Sequence, residues 1–255
     1  MGTHILGIDI GGSGIKGGLV DITTGSVVNE PHTITTPADA DATSVGQAVA
    51  QLVQMCGADA HSPIGIGFPA PVVRGSIPYM AHLSPTWVGM NAAGFFEDYL
   101  SRPVSVLNDA DAAGLAEFTY SQAINDAHTV IFLTLGTGIG SALFVDGKLF
   151  PNTELGHVFL KGDVLDAETF AAASARIRDN LSLEQWAERL QKYLEHIENI
   201  FNPDAFILGG GISKHFDMFA QFLSTRALVL PATLRNHAGI VGAARYAYEN
   251  SADLP

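Results

Sequence analysis

The sequence contains little cysteine and few basic residues. Cys56 is its only cysteine, which excludes an internal disulfide and a cysteine-based metal cluster, so we expect a reducing, cytoplasmic location. Lysine and arginine number 13 against 26 aspartates and glutamates, a formal net charge of −13. Such a charge repels nucleic acids and anionic membranes, and we expect neither as a partner. A phosphate ligand therefore needs a site built locally from backbone N–H groups and a few cations.

Long apolar runs are absent as well. None approaches the roughly 20 residues that cross a bilayer. The N-terminus lacks a basic region followed by an apolar stretch, so we expect no signal peptide. The sequence does offer apolar material for a sizeable core, 47% of 255 residues, with no low-complexity segment or long linker.

A strand–glycine turn–strand pattern occurs twice. Residues 4–10 and 15–22 predict a hairpin around a glycine turn, with a third strand at 26–35. The pattern restarts near residue 129 in TVIFLTLGTGIGSALFVDGKLF. We therefore predict a duplicated α/β architecture with a cleft between two domains.

The predicted domains divide the chain near its middle. The N-terminal α/β domain covers 1–115, and a C-terminal helix at 240–250 packs back on it. The larger C-terminal α/β domain covers 116–239. Helical periodicity is clearest at 182–201, which opens with the capping box Ser182-x-x-Gln185.

Other elements are predicted from shorter signals. Ser44-x-x-Gln47 predicts the start of a helix at 43–56. A second helix is predicted near 90–101, and VSVLN (104–108) indicates a buried strand followed by a helix. The segment AFILGGGIS indicates a strand, a glycine turn and the start of a helix.

The first glycine turn contains a G-x-G-x-x-G match at 12–17, the nominal dinucleotide fingerprint. That motif must open a helix, whereas IKGGLVDI is a poor helix and a reasonable strand. A hairpin turn with exposed N–H groups can instead bind an anion. Asp9 before it offers a carboxylate for a hydrated Mg²⁺, and Lys16 after it offers a cation for phosphate oxygens. The alternative is a merely tight hairpin. The turn residues are Gly11, Gly12, Ser13 and Gly14.

Two further glycine turns follow predicted strands. Three such turns at strand ends indicate a nucleotide or polyphosphate ligand. The second turn contributes Thr134, Gly136, Thr137 and Gly138, and the third contributes Gly209, Gly210 and Gly211.

Polar residues at strand ends supply candidates for catalysis and sugar binding. Asn108 and Asp109 end a strand and begin a helix, and Asp109 is the better candidate for a general base. Asp111 is interpreted as the N-cap of that helix. Glu154 and His157 form a polar pair that suits vicinal hydroxyls, and a metal site is the weaker alternative because no second His or Cys cluster stands nearby.

Taken together, these segments resemble the ROK family of sugar kinases, within the actin-like (ribonuclease H-like) ATPase superfamily. The likeness is strongest to the polyphosphate/ATP-dependent glucokinases and glucomannokinases among them. The resemblance covers nearly the whole chain and implies a two-domain actin-like fold with a central cleft. The matching segments occur in the family's order: DIGGSGIK, LNDADAAGLAE, LGTGIGSAL, PNTELGH and LGGGIS.

The resemblance implies transfer of a phosphoryl group from polyphosphate, ATP or both to the 6-hydroxyl of glucose, with mannose left open. Asp109 would be the general base, and Asn108, Glu154, His157 and Glu168 would bind the sugar. Asp9 would help to position Mg²⁺. The first two glycine turns would hold donor phosphates, and the third would face the adenosine of ATP. A homodimer is implied as well.

Two departures from the family pattern limit the resemblance. No cysteine occurs at 158–175, where many members carry a zinc motif, so we expect no zinc. AHLSPTW (81–87) has His82 where relatives have a sugar-binding Asn, and Pro85 where they have a Lys. Sugar and donor choice therefore stay open, as does a ROK-like sugar-binding or regulatory protein with altered or lost kinase activity.

Two further points concern DNA and the donor. A transcriptional regulator is not expected, because the chain begins at its first strand and its charge repels DNA. A cationic segment could form a polyphosphate track or a solvated helix face; its members are Lys161, Arg176, Arg178 and Arg189.

Overall fold

The computed structural model describes residues 4–121, 124, 127–160, 162 and 166–251. The chain forms two compact units, one of Met1–Tyr120 with His237–Pro255 and one of Ser121–Asn236. These boundaries differ by a few residues from those expected at 115 and 240, and the first unit contains more residues than the second. Lys161 lies outside the described residues.

Each unit opens with consecutive strands, and helices and further strands follow. The strands are β1 (His4–Ile10), β2 (Gly14–Asp21), β3 (Ser26–Val27), β4 (His32–Thr35), β5 (Ile64–Phe68), β6 (Val104–Asn108), β7 (Thr129–Leu135), β8 (Ile139–Val145), β9 (Lys148–Phe150), β10 (Ala205–Gly209) and β11 (Leu228–Pro231). The helices are α1 (Ala42–Cys56), α2 (Ala92–Leu100), α3 (Asp109–Tyr120), α4 (Ala167–Ala171), α5 (Ala173–Arg178), α6 (Leu183–Phe201), α7 (Phe216–Phe219) and α8 (Ala238–Ser251). No helix in this described part of the chain is long and apolar enough to span a membrane.

The two units contain sheets of the same topology. The first sheet has the order β3-β2-β1-β5-β6, with β4 also paired to β2, and the second has the order β9-β8-β7-β10-β11. In each, an antiparallel hairpin comes first, and its first strand then pairs in parallel with a later strand. The predicted duplication and both predicted hairpins are therefore confirmed.

The predicted third strand at 26–35 is wrong as one element. It is two short strands, β3 and β4, which pair with opposite ends of β2. Pro31 lies between them, and proline has no N–H to donate to a sheet. The chain leaves the sheet there and returns at His32.

Helix α1 begins at a different cap from the predicted one. Its N-cap is Asp41, whose carboxylate accepts a hydrogen bond from the N–H of Ser44 (2.8 Å). Ser44 is thus the third residue of the helix and not its cap. Helix α6, in contrast, opens with the predicted capping box of Ser182 and Gln185.

Helix α8 packs directly on the first sheet. Gly7 of β1 and Gly65 of β5 are neighbours in register. A methyl group at either glycine would collide with the α8 backbone, at Ile240 and Ala243 respectively. The small residues of α8 therefore allow close packing, and α8 belongs to the first unit, as predicted for the C-terminal helix.

Each unit has its own hydrophobic core. In the first, Trp87 is fully buried against Phe68 and Phe96, and its indole N–H donates to the carbonyl of Ala40 (3.0 Å). In the second, α6 buries Trp186 as one of the apolar residues on the face toward its sheet. Each core supports the strand ends on which the candidate residues lie.

Candidate functional site

The first glycine turn closes the β1–β2 hairpin. The N–H of Gly11 donates to the carbonyl of Gly14 (3.0 Å), and the hydroxyl of Thr36 donates to the carbonyl of Gly11 (2.6 Å). Gly12 and Ser13 are exposed, and within the described residues their N–H groups donate to no partner. The turn therefore presents two adjacent donors that suit an anion.

The first glycine turn is not crowded by the rest of its unit. A methyl group on Gly12 would meet only His82, 3.7 Å from its carbonyl oxygen and 4.0 Å from its Cβ. These are ordinary contacts, so crowding within the unit does not require glycine there. The unusual His82 of AHLSPTW thus lies beside this turn.

Asp9 and Lys16 face each other across the hairpin. They are directly paired in the β1–β2 register. The Asp9 carboxylate lies under the first turn of α8, where a methyl group on Gly239 would be 2.8 Å from its carboxyl carbon. Burial raises the pKa of Asp9, and the charge of Lys16 opposes that rise. One carboxylate and one cation therefore stand next to the exposed turn.

Asn108 and Asp109 lie at the junction of β6 and α3. Asn108 is only 7% exposed, and its Oδ1 accepts hydrogen bonds from the N–H groups of Ala110 (2.9 Å) and Asp111 (3.0 Å). Asn108 therefore provides the side-chain cap of α3, and the interpretation of Asp111 as that cap is wrong. Asp109 is the first residue of α3 and is partly exposed.

The sheet brings these groups to one edge. Asp9 is paired with Gly67 of β5, and Gly67 is paired with Leu107 of β6, one residue before Asn108. Asp9 and the start of α3 are thus about two strand spacings, or ~10 Å, apart. A methyl group on Gly67 would lie 3.6 Å from the Cα of Asp109. The exposed turn, Asp9 and Asp109 therefore share the carboxyl-terminal edge of the parallel strands, where α/β proteins bind ligands.

The second glycine turn closes the β7–β8 hairpin and is held by α5. The N–H of Gly136 donates to the carbonyl of Gly138 (2.9 Å). Ser174 donates its N–H to the carbonyl of Gly136 (3.0 Å) and its hydroxyl to the carbonyl of Thr137 (2.6 Å). A methyl group on Gly136 would meet nothing within 4 Å, so the turn is open on that side.

The third glycine turn lies next to the second. Gly209 is paired with Thr134 in the β10–β7 register. Gly210 has φ of +81° and lies against the backbone of Leu135, where a side chain would collide. Only glycine fits that position. A methyl group on Gly211 would meet nothing within 4 Å. The structure thus brings together two of the predicted ligand turns.

His157 lies between Glu154 and Asp166, and the sequence pattern does not single out Asp166. The Nδ1 of His157 lies 3.0 Å from Oδ2 of Asp166, and its Nε2 lies 4.0 Å from Oε2 of Glu154. A carboxylate only accepts, so the proton is on Nδ1 when His157 is neutral. The one sequence signal for Asp166 is its place before a helix, with Thr169 three residues later; it caps α4 (2.9 Å to the Thr169 N–H).

The charges around His157 set its protonation. The hydrogen bond that His157 donates to Asp166 raises the pKa of His157, partial burial opposes the rise, and the charges of Glu168, Glu154 and Asp166 add to it. Burial raises the pKa of Asp166, but hydrogen bonds from Thr169 and then His157 outweigh it, and the net shift is downward. An imidazolium–carboxylate pair is therefore favoured as the pH falls.

Glu168 contacts the second glycine turn. Its Oε2 accepts a hydrogen bond from the N–H of Ile139 (2.8 Å). Its carboxylate also fills the space that a side chain at Gly138 would occupy. Beneath it, the Tyr193 hydroxyl is fully buried and has no hydrogen-bond partner in the described part of the chain; burial, and then the charge of Glu168, raise the pKa of Tyr193.

Two members of the candidate polyphosphate track share one carboxylate. Arg178 and Arg189 both pair with Asp179, at 2.8 and 2.6 Å. Those hydrogen bonds lower the pKa of Asp179. The arrangement favours a structural ion-pair network over a row of cations open to a polyanion.

The two sheets share one topology. Each opens with a hairpin around a glycine turn and carries polar groups at its strand ends. This arrangement defines an α/β protein of the actin-like (ribonuclease H-like) class. Residues 5–173 match the ROK family, and the chain belongs to it. The expected fold class is thus confirmed.

Known proteins similar to this chain include phosphotransferases for sugars. The chain is 42% identical over 242 residues to a polyphosphate glucokinase of Mycobacterium tuberculosis, and the match covers 94% of this chain and 90% of that protein. An inorganic polyphosphate/ATP-glucomannokinase from Arthrobacter sp. strain KM is 45% identical, with a TM-score of 0.91 over 98% of this chain and 100% of that one. A ROK family glucokinase from Streptomyces griseus, solved with glucose and AMPPNP, is 24% identical (TM-score 0.82, 96% and 99% coverage) and shares the fold.

Proposed function

We propose that the protein is a hexokinase that transfers a phosphoryl group from polyphosphate, ATP or both to the 6-hydroxyl of glucose. The edge of the first sheet is the observation that carries this proposal, because it combines an exposed donor turn, the Asp9–Lys16 pair and Asp109. Phosphoryl transfer depends mainly on positioning and charge stabilisation, which these groups supply. The names of the relatives support a kinase and do not favour a regulatory protein without activity.

Asp109 is the proposed general base. It accepts the proton of the 6-hydroxyl while that oxygen forms a bond to the terminal phosphorus and the bridging P–O bond of the donor breaks. Its place in the first turn of α3 favours the ionised carboxylate that a base requires. Because the Oδ1 of Asn108 is used as the helix cap, its Nδ2 is the group that donates to a sugar oxygen.

The glycine turns are the proposed donor site. The N–H groups of Gly12 and Ser13 bind phosphate oxygens, together with Lys16. The turn of Gly136 to Gly138 contributes further backbone donors, with Thr134 behind it. The third turn, Gly209 to Gly211, faces the adenosine when ATP is the donor.

Mg²⁺ is the proposed cofactor, and the residues present fit it. Asp9 is an oxygen ligand next to the phosphate-binding turn, and no group of three metal-binding side chains lies among the described residues. Asp9 would hold Mg²⁺ through water beside the donor site. When bound, Mg²⁺ neutralises charge on those phosphates.

The sugar end is assigned to Glu154, His157 and Glu168. Carboxylates accept and His157 donates or accepts, which suits neighbouring ring hydroxyls. Mannose is a second candidate acceptor, since its ring differs from glucose at one hydroxyl. We further propose a cytoplasmic homodimer; small-molecule substrates are its expected partners.

A matrix of sugars and donors tests the function. Purified protein is incubated with glucose or mannose, ATP or polyphosphate, and Mg²⁺, and hexose 6-phosphate is measured by a coupled dehydrogenase assay. Glucose with at least one donor is expected to turn over. No product with any pair would overturn the proposal in favour of a sugar-binding protein without kinase activity.

A further inference from the structure

The first turn of α4 contacts two parts of the candidate site in the second unit: His157, which is proposed to bind the sugar, and the second glycine turn, which is proposed to bind the donor. Its cap, Asp166, is hydrogen-bonded to His157 (3.0 Å). Two residues later, Glu168 accepts the N–H of Ile139 at the second glycine turn (2.8 Å). Resemblance to sugar kinases explains neither contact, since it assigns Glu168 to the sugar alone and gives Asp166 no role.

The same turn is anchored to the fold independently. The N–H of Ala167 donates to the carbonyl of Val158 (2.8 Å), and Ala167 is fully buried. The N–H of Thr169 donates to Oδ1 of Asp166 (2.9 Å), so the two carboxylate oxygens of Asp166 have separate partners. A side chain held at both oxygens has little freedom to rotate, and it fixes the ring of His157.

The Glu168 carboxylate occupies the space beside Gly138. A Cβ there would overlap that carboxylate, whereas φ at Gly138 is not positive. A side chain at this position would therefore displace Glu168 from the turn. At Gly136 of the same turn a Cβ would meet nothing within 4 Å.

We propose that Asp166 is a positioning residue that orients His157 toward the sugar, and that Glu168, in addition to its proposed contact with the sugar, holds the second glycine turn toward the donor. This inference rests on the proposed function for its kinetic consequences. Its structural part, the clamp of Glu168 on the turn, holds whatever the substrate is.

Glu168 is tested by a pair of variants and a double-mutant cycle. Glu168→Ala removes the acceptor for the Ile139 N–H and is expected to raise the KM for the donor about 10-fold, in addition to the rise in the KM for glucose that loss of the proposed sugar contact causes. Glu168→Gln retains an acceptor oxygen and is expected to restore most of the donor KM. An increase confined to the glucose KM would overturn the assignment.

The cycle uses Gly138→Ala. In the wild-type background the new methyl group displaces Glu168 and raises the donor KM. In the Glu168→Ala background the space is vacant, so the same change is expected to have little further effect. An equal effect in both backgrounds would show that the donor itself, and not Glu168, requires glycine, and would contradict the inference.

The role of Asp166 is tested by comparing the same substitution at two helix N-caps, Asp166 of α4 and Asp41 of α1. Asp166→Ser keeps a capping oxygen for α4 but is too short to reach His157. It is expected to raise the glucose KM about 10-fold and leave the donor KM unchanged. Asp41→Ser makes the same change at the cap of α1 and is expected to leave both constants unchanged. Identical kinetics for the two variants would overturn the role of Asp166.

The pH profile separates positioning from folding. The groups facing His157 are Asp166, Glu168 and Glu154. Loss of Asp166 removes the hydrogen bond that raises the pKa of His157, so the limb of the glucose KM profile due to His157 is expected at lower pH in Asp166→Ser. A limb that does not move would contradict the assignment.

Amide exchange distinguishes failure of this inference from failure of the proposed function. Hydrogen exchange at the Ile139 amide, followed by NMR, is expected to be faster in Glu168→Ala than in wild type, with or without turnover. Unchanged exchange would overturn the clamp, whereas absence of hexose phosphorylation in the wild type would overturn the function.

Discussion

Asp9 combines two opposing demands on one side chain. Its carboxylate lies under the first turn of α8, where burial raises its pKa. The proposed role at Mg²⁺ nevertheless requires the ionised form at neutral pH. The Lys16 charge reduces this conflict without removing it.

The stability of Asp9→Asn should therefore depend on pH. Because the folded-state pKa of Asp9 is raised, the folded protein takes up a proton more readily than the unfolded chain, and ionisation destabilises the fold as the pH rises through that pKa. Asp9→Asn is expected to raise Tm at neutral pH, to change it little at acid pH below the unfolded pKa, and to abolish phosphorylation. The exposed Asp39→Asn, in the same unit, serves as the control and is expected to change neither. A variant less stable than wild type at pH 7 would contradict this account.

Tyr193 is a second residue whose substitution is expected to change the free energy of unfolding. Its hydroxyl is buried and has no hydrogen-bond partner in the described part of the chain. Removing an unpaired buried hydroxyl is expected to stabilise the protein by about 1 kcal/mol. Urea unfolding of Tyr193→Phe measures the difference. A loss of stability would mean that an ordered water satisfies the hydroxyl.

The identity of single residues predicts candidate site residues better than it predicts their hydrogen-bond partners. Asp9, Lys16 and Asp109 are candidates because of their place beside turns and strand ends. The capping role of Asn108 and the pairing of Asp166 with His157 are not predicted, because several oxygens stand near each helix start and backbone geometry decides which one accepts. Asp166 and His157 are also separated by residues that carry no periodic signal.

Among the helices and strands, the close packing of α8 against the first sheet is the contact that most constrains the first unit. Gly7 and Gly65, side by side on β1 and β5, let the helix backbone approach the sheet. The sequence predicted that the C-terminal helix packs back on the first unit, but the strand glycines that it contacts depend on the register, which only the structure gives.

Gly65→Ala should therefore be severely destabilising. Its methyl group would collide with the α8 backbone at Ala243, which cannot rotate away, and overpacking of this kind costs about 1–3 kcal/mol or more. Gly67→Ala on the same strand would make its nearest contact at 3.5 Å, an ordinary distance, and is the matched control. Both are measured by urea unfolding. Equal losses at the two positions would contradict the packing argument.

Elements with strong local signals were predicted well, and the rest failed for local reasons. Helix α6 has a capping box and a regular apolar face, so both its start and its burial were foreseen. The strand at 26–35 was not, since Pro31 interrupts pairing at a point where the apolar pattern continues. At α1, Asp41 and Ser44 are both good caps, and the sequence does not rank them.

For the whole molecule, the repeated topology was the decisive prediction. Two hairpins around glycine turns implied two sheets of one design, and the strand orders β3-β2-β1-β5-β6 and β9-β8-β7-β10-β11 agree with it. Membership in the ROK family then accounts for the common architecture. The donor and the hexose stay predictions, because they depend on a few side chains such as His82 and not on the fold.

The central claim is that Asp109 acts as the base in phosphoryl transfer to a hexose. The direct test is the rate of glucose 6-phosphate formation by wild type and Asp109→Asn, with saturating glucose and the better of ATP and polyphosphate. The account predicts turnover by wild type and a fall in kcat of about 10²–10⁴-fold in the variant, the range for loss of general base catalysis. Asp39→Asn should match wild type. An Asp109→Asn enzyme with an unchanged kcat would contradict the account.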